Sequence, residues 1–177
     1  MPEEKVLEGS YVWSADEMAT AGMWHYRANN RWMGRWLAII LLLVAAARLI
    51  LAVIDHEQIS IEIGFIIFLM VIALVSLLLP QVVRAIIRMN FAKRPEKGKT
   101  VTLQVMAKKI ILETEGFPAI TDHWDRLEKI VQTRDGLLCY PSIGVYHWLP
   151  FTAFKHEDAN ALLEFARFYP EKLKDVH

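Results

Sequence analysis

The sequence predicts an α+β membrane protein: a transmembrane helical hairpin followed by a cytoplasmic β-domain that ends in a helix. Three observations carry this expectation. Two long runs nearly free of charge, Trp36–Ile54 and Ile63–Val83, stand close together. Lys and Arg flank the pair on both sides and are missing from the loop between. After Pro95 the chain turns to short β-branched and aromatic runs separated by turn residues. Of 177 residues 54% are hydrophobic and only 23% charged, and most of the excess lies in the two runs. A formal net charge of zero provides no field to draw nucleic acid. One cysteine permits neither an internal disulfide nor a multi-cysteine zinc site.

The expected division is 1–34, an N-terminal strand and amphipathic helix; 35–90, the two-helix hairpin; and 97–177, the β-domain. Ser10–Trp13 is a short β-like run, able to join the later strands as a seventh. Ser14 and Glu17 have the spacing of a capping box, which predicts a helix from Ala15 to about Arg31. Arg27, Arg31 and Arg35 recur every four residues and form a basic stripe on it. No apolar segment precedes residue 35, so the first run is expected to serve as its own insertion signal.

Each apolar run approaches the roughly 20 residues that a helix needs to cross a bilayer core. A soluble helix would show polar residues every three or four positions. Eight residues, Asp55 to Glu62, join the runs, which makes the helices antiparallel and puts both chain ends on one side. Lys5, Arg27, Arg31 and Arg35 precede the first run, and Arg84, Arg88, Lys93, Arg94, Lys97 and Lys99 follow the second. The positive-inside bias then makes both termini cytoplasmic. Trp24, Tyr26, Trp32 and Trp36 are expected as an aromatic belt at the inner boundary. Pro80 is a site for a kink, and Arg94-Pro95 for the end of the helix. Six strand-like runs follow between Lys97 and Pro150, with turns at Glu115-Gly116, Asp135-Gly136 and Pro141–Gly144. A closing helix starts near Glu157, with Ala161, Leu162, Phe165, Ala166 and Phe168 in helical period.

Trp124, Leu127, Ile130, Thr133 and Asp135 to Leu138, then Leu149-Pro150-x-x-Ala153-Phe154 and an acidic-started helix, resemble the C-terminal domain of YcxB-like bacterial membrane proteins. The resemblance implies two spans and a cytoplasmic domain similar to pleckstrin-homology (PH) folds, a β-sandwich or barrel closed by the C-terminal helix. It also implies the bacterial inner membrane, and it transfers no chemistry. Phe151 stands where that family often has a basic residue.

Arg48 is the sharpest oddity. It sits about 10 Å inside the outer end of the first span, where a charge costs about 2 kcal/mol or more unless paired. An internal pair with Glu62 is the first reading, lipid headgroups the second, and another membrane protein the third. The basic segment with Arg84, Arg88, Lys93 and Arg94 reads first as the topology signal and second as attraction to anionic lipid. Cys139 and His147 flank a turn within cross-strand reach, which raises a Cys–His nucleophile. No third residue stands out to orient the imidazole, and a buried cysteine beside an exposed histidine is the commoner arrangement. The six histidines show no metal-ligand spacing and no phosphate-binding loop occurs, so neither cofactor nor metal is expected. The expected function is a non-enzymatic accessory or scaffold protein whose β-domain meets a protein or lipid. The alternatives are an immunity protein against a membrane-acting toxin, and an enzyme using Cys139 and His147. Membrane lipids, and a second membrane protein, are the partners the residues suggest; nucleic acid is not, and oligomeric state is open.

Overall fold

The computed structural model describes residues 5–29, 33–55 and 59–176, without the side chains of 33–35, 37, 52–55 and 59–62. The fold is mixed α and β, with four helices and two four-stranded sheets among the described residues. Two compact units are present: Met1–Ala28 with Ile87–His177 (the β-unit), and Asn29–Ile86 (the helical unit).

Strand β1 (Leu7–Val12) opens the β-unit, and helix α1 (Ala15–Asn29) follows. Ser14 caps α1: its hydroxyl accepts the Glu17 N–H at 3.1 Å. The Ser14 N–H donates to Val12 O, so the Glu17 carboxylate is left for a tertiary contact. The six expected runs all form strands: β2 (Thr100–Val105), β3 (Lys109–Thr114), β4 (Ile120–His123), β5 (Lys129–Gln132), β6 (Gly136–Ser142) and β7 (Val145–Pro150). Helix α4 (His156–Arg167) and the short β8 (Leu173–Asp175) complete the chain. One sheet runs β1-β2-β3-β4 and is antiparallel throughout. The other runs β7-β6-β5-β8, with β8 parallel to β5.

The strands β2 and β3 alternate, as a sheet with one wet face must. Val101, Leu103, Val105, Ile110 and Leu112 point inward, and Thr100, Thr102 and Glu113 outward. Their inward faces share a core with Ile130, Leu137 and Leu149 of the second sheet, and with Trp124 and Leu127. Ala161, Leu162 and Ala166 of α4 close that core. Phe168, expected on the same stripe, is 73% exposed because it caps the helix, one residue past its last turn. Strand β6 behaves differently: Gly136 to Tyr140 are all buried. Leu137 and Cys139 face the inter-sheet core, while Leu138 and Tyr140 face the opposite side, under α1. A strand covered on both faces reads as a continuous apolar run.

The division drawn from composition therefore differs from the compact units. The N-terminal segment is no separate module: β1 pairs with β2 over six residues, and α1 covers the second sheet. The β-like run near Ser10 thus joins the later strands as the seventh that its residues allowed, pairing with partners 88 to 98 residues away.

The helical unit contains α2 (Met33–Asp55) and most of α3 (Ile59–Phe91). Ala38 and Ala45 on α2, and Ile66, Leu69 and Ala73 on α3, are its buried positions among the described side chains. They recur at three, four and seven residues, the seam of two packed helices. Small residues allow close backbone approach there. The other faces are bare: Ile40, Leu43, Ile50, Ile67, Phe68 and Val75 are each more than half exposed. One described helix is long and apolar enough to cross a membrane, over Ile63–Phe91, with only 17% of its most apolar stretch buried. The described apolar part of α2, Ala38–Leu51, is shorter. Helix α3 stays helical through Pro80.

Candidate functional site

The best-built site of the β-unit is the seam where α1 lies on the second sheet. Ala21 and Trp24 of α1 pack on Val131, Leu138, Tyr140 and Trp148. Two indole N–H groups are anchored by carboxylates across this seam. Trp24 Nε1 donates to Asp135 at 2.9 Å, and Trp148 Nε1 to Glu17 at 2.9 Å. Asp135 is held for this by the β5–β6 turn. There the Thr133 hydroxyl accepts the N–H groups of Asp135 and Gly136 and donates to Gly136 O. Between the two carboxylates opens a pocket of about 270 Å³, lined by Glu17, Thr20, Asp135, Trp148, Pro150 and Thr152. Both acids face it already engaged with an indole. Among the described residues no group of three or more His, Cys, Asp or Glu stands ready to hold a metal ion.

Further along the same seam lies an aromatic cluster. The His25 ring stacks on Tyr146 at 4.7 Å and on Tyr140 at 5.7 Å, and its Nδ1 is 3.0 Å from the Tyr140 hydroxyl. Lys129 sets its ammonium over the Tyr140 ring at 5.1 Å, a cation–π contact. Burial lowers the proton affinity of His25, and the Lys129 charge adds to the effect. Burial likewise lowers that of Lys129, with Lys174 adding repulsion. Burial raises the Tyr146 phenol, while the nearby Arg94 guanidinium pulls it back. Lys129 and Arg94, from separate segments, thus act on the two tyrosines.

The Cys139–His147 pair acquires the third residue that the sequence did not reveal. Cys139 pairs with His147 across β6 and β7, and Asp122 with Ile110 across β4 and β3. Directly opposite residues share a face, so Asp122 points inward with Ile110, and His147 with Cys139. His147 Nε2 lies 2.6 Å from Asp122 Oδ2, a close polar contact without the alignment of a hydrogen bond. It clips β4 to β7, the edge strands of the two sheets. Cys139 is fully buried, and burial, then Asp122, push its thiol well above the usual range. A thiol kept protonated in the core lacks the thiolate that attacks.

The other expected site residues fall apart into separate places. Arg48 is exposed on α2, its guanidinium carbon 5.7 Å from the Phe65 ring centroid on α3. The Glu62 side chain, and with it the expected Arg48–Glu62 pair, lies outside the described residues. Arg84 is exposed in the helical unit. Arg88, in the β-unit, forms an ion pair with Asp16 of α1. Lys93 and Arg94 are exposed just after α3. Of the expected aromatic belt, Trp24 is 6% exposed in the β-unit core and is no boundary residue, because its indole is committed to Asp135. Trp32, and Arg31 of the basic stripe, lie outside the described residues; Arg27 stacks over Trp24 at 4.8 Å. The seam itself was missed, although the run Leu137-Leu138-Cys139-Tyr140 signals a strand needing cover on both faces.

Compared with protein-family models, with curated proteins and with solved structures, the chain matches none.

Proposed function

We propose that this chain is a membrane-anchored binding protein. In this reading α2 and α3 cross the bilayer as a hairpin, both termini are cytoplasmic, and the β-unit is a PH-like domain that meets a protein or lipid at the inner surface. The observation that carries the proposal is the bare apolar helix surface. Soluble monomers rarely expose apolar patches beyond a few hundred Å², and here Ile67, Phe68, Met70, Val71, Leu74 and Val75 are all more than half exposed along one helix. A core helix of a soluble protein would be mostly buried, and this one is not. Lys and Arg at both flanks, with none in Asp55–Glu62, support the orientation. A bacterial inner membrane and kinship with the YcxB-like family are part of the proposal, supported by the Trp124–Phe154 pattern and by two sheets closed by a helix. Binding rather than catalysis is supported by the inert setting of Cys139.

The test is topology in membranes. The protein should stay with the membrane through alkaline carbonate, and a reporter fused after His177 should be active only in the cytoplasm. Gln58→Cys should react with an impermeant thiol reagent added from outside. Release by carbonate would end the anchored reading, and a periplasmic reporter signal would reverse the orientation.

A further inference from the structure

The β6–β7 hairpin ends in a two-residue turn, Ile143-Gly144, between the paired Ser142 and Val145. Gly144 supplies the positive φ, 80°, that the turn requires. Turn geometry asks nothing apolar of its neighbour, yet Ile143 is 92% exposed and Val145 52%. Behind this tip stand Tyr140 and Tyr146, stacked with His25. Lys129 lies on the Tyr140 ring, Lys174 pairs with Val131 two residues further along the same strand face, and the charge of the exposed Arg94 acts on Tyr146. Arg94 belongs to a turn that also carries Lys93 and Lys97 against one acid, Glu96. Along the chain, His25 comes three residues before Ala28 and Arg94 seven after Ile87, the two points where the backbone passes into the apolar helices. An apolar tip, a half-buried tyrosine beside it and cations nearby are what a lipid interface selects. Tyrosines partition to the headgroup level, and cations are drawn to anionic lipid.

We propose that this end of the β-unit docks on the surface of an anionic phospholipid bilayer. Ile143 enters the headgroup region, the half-buried Tyr146 lies at the interface, and Arg94, Lys129 and Lys174 face lipid phosphates. The proposal rests on the membrane-anchored reading and deepens it. Docking would hold the β-unit against the leaflet that its own helices enter, and would make its exposure depend on lipid charge.

The full chain, reconstituted into vesicles, provides the test. Cys139 is fully buried, so Ile143→Cys offers one accessible thiol for an environment-sensitive fluorophore. Glu115→Cys, in the exposed β3–β4 turn, serves as the control. In vesicles containing phosphatidylglycerol the Ile143 label should shift to the blue and be quenched by spin-labelled lipid. In pure phosphatidylcholine it should read water, and the Glu115 label should read water in both. Arg94→Ala should lower the ratio of docked to undocked β-unit about fivefold. Near-UV circular dichroism checks that each variant keeps its fold.

Carbonate extraction of the same vesicles separates the two claims. A chain that is stripped fails the anchored reading. A chain that stays while its Ile143 label reads water in both lipids fails the docking proposal alone. A shift produced in phosphatidylcholine by added inorganic phosphate would show a site for soluble anions and overturn the bilayer assignment. A shielded label that spin-labelled lipid does not quench, and that dilution of the protein in the bilayer exposes, would mean a second copy of the chain and overturn it as well.

Discussion

His25 shows how one residue couples the seam to pH. Its ring, on α1, stacks on the two tyrosines, and burial, then Lys129, hold its proton affinity below the ordinary value. As pH falls through about 6.5, the unfolded chain takes up this proton before the folded one does. Stability from this group is therefore complete above that pH. It declines below it, until the folded His25 is protonated too. His25→Phe keeps the stacking and removes the titration. Urea unfolding of the full chain in detergent, followed by Trp fluorescence, should lose less stability in this variant between about pH 7.5 and about pH 5.5 than in the wild type. An equal loss in both would assign the pH dependence to other groups.

Among the elements, β1 is seated against backbone at close quarters. Gly9 pairs with Leu103 and so faces inward. A Cβ there would stand 2.8 Å from Ala153 O and 2.9 Å from the Phe154 ring. The first of these is backbone and cannot swing away, so Gly9→Ala must push β1 off the turn that follows β7. Overpacking of this kind costs about 1–3 kcal/mol. The expected outcome is a loss of that size in unfolding free energy, with amide exchange accelerated first along β1 and β2. A neutral Gly9→Ala would mean that β1 is not held against Ala153 and Phe154. The pattern of β1 offers little warning of this, since only Leu7 of its six residues is fully buried.

For the whole molecule, the connectivity makes the helical unit an insertion into the β-unit. The chain leaves after Ala28 and returns at Ile87, and within the β-unit a Cβ at Gly22 would stand 2.7 Å from the Ile87 side chain. A chain with residues 29–86 replaced by a short Gly/Ser linker should fold as a water-soluble domain, with β1 still paired to β2. Residues 97–177 alone, the domain suggested by composition, should not. They lack β1 and Leu7, and they lack α1, so Leu138, Tyr140 and Trp148 would lose their cover. Dispersed amide resonances from the linked chain, and aggregation or collapsed spectra from 97–177, are the expected results. A well-folded 97–177 would show that the N-terminal segment is dispensable.

The elements legible in the sequence are those whose signal is local. Periodicity and turn residues located six strands and α4, the Ser14 cap started α1, and the absence of charge marked the two apolar runs. Beyond the joining of β1 to the later strands, what links elements far apart in the chain was not legible. Trp24 meets Asp135 across 111 residues, and Glu17 meets Trp148 across 131. Both sides of such a contact are ordinary in their own neighbourhoods. Trp24 looked like a boundary aromatic, and Glu17 like half of a capping box. The three-residue β8 is too short to carry a pattern, and it exists because α4 returns the chain beside β5. The Asp122–His147 clip arises because register turns both side chains to the same interior, and register is set by pairing rather than by composition. Sequence alone thus determined which segments are helix and strand, β8 apart, and which are long apolar runs without charge. The tertiary structure decided which of them share a core, because burial on both faces of a strand is a property of its neighbours.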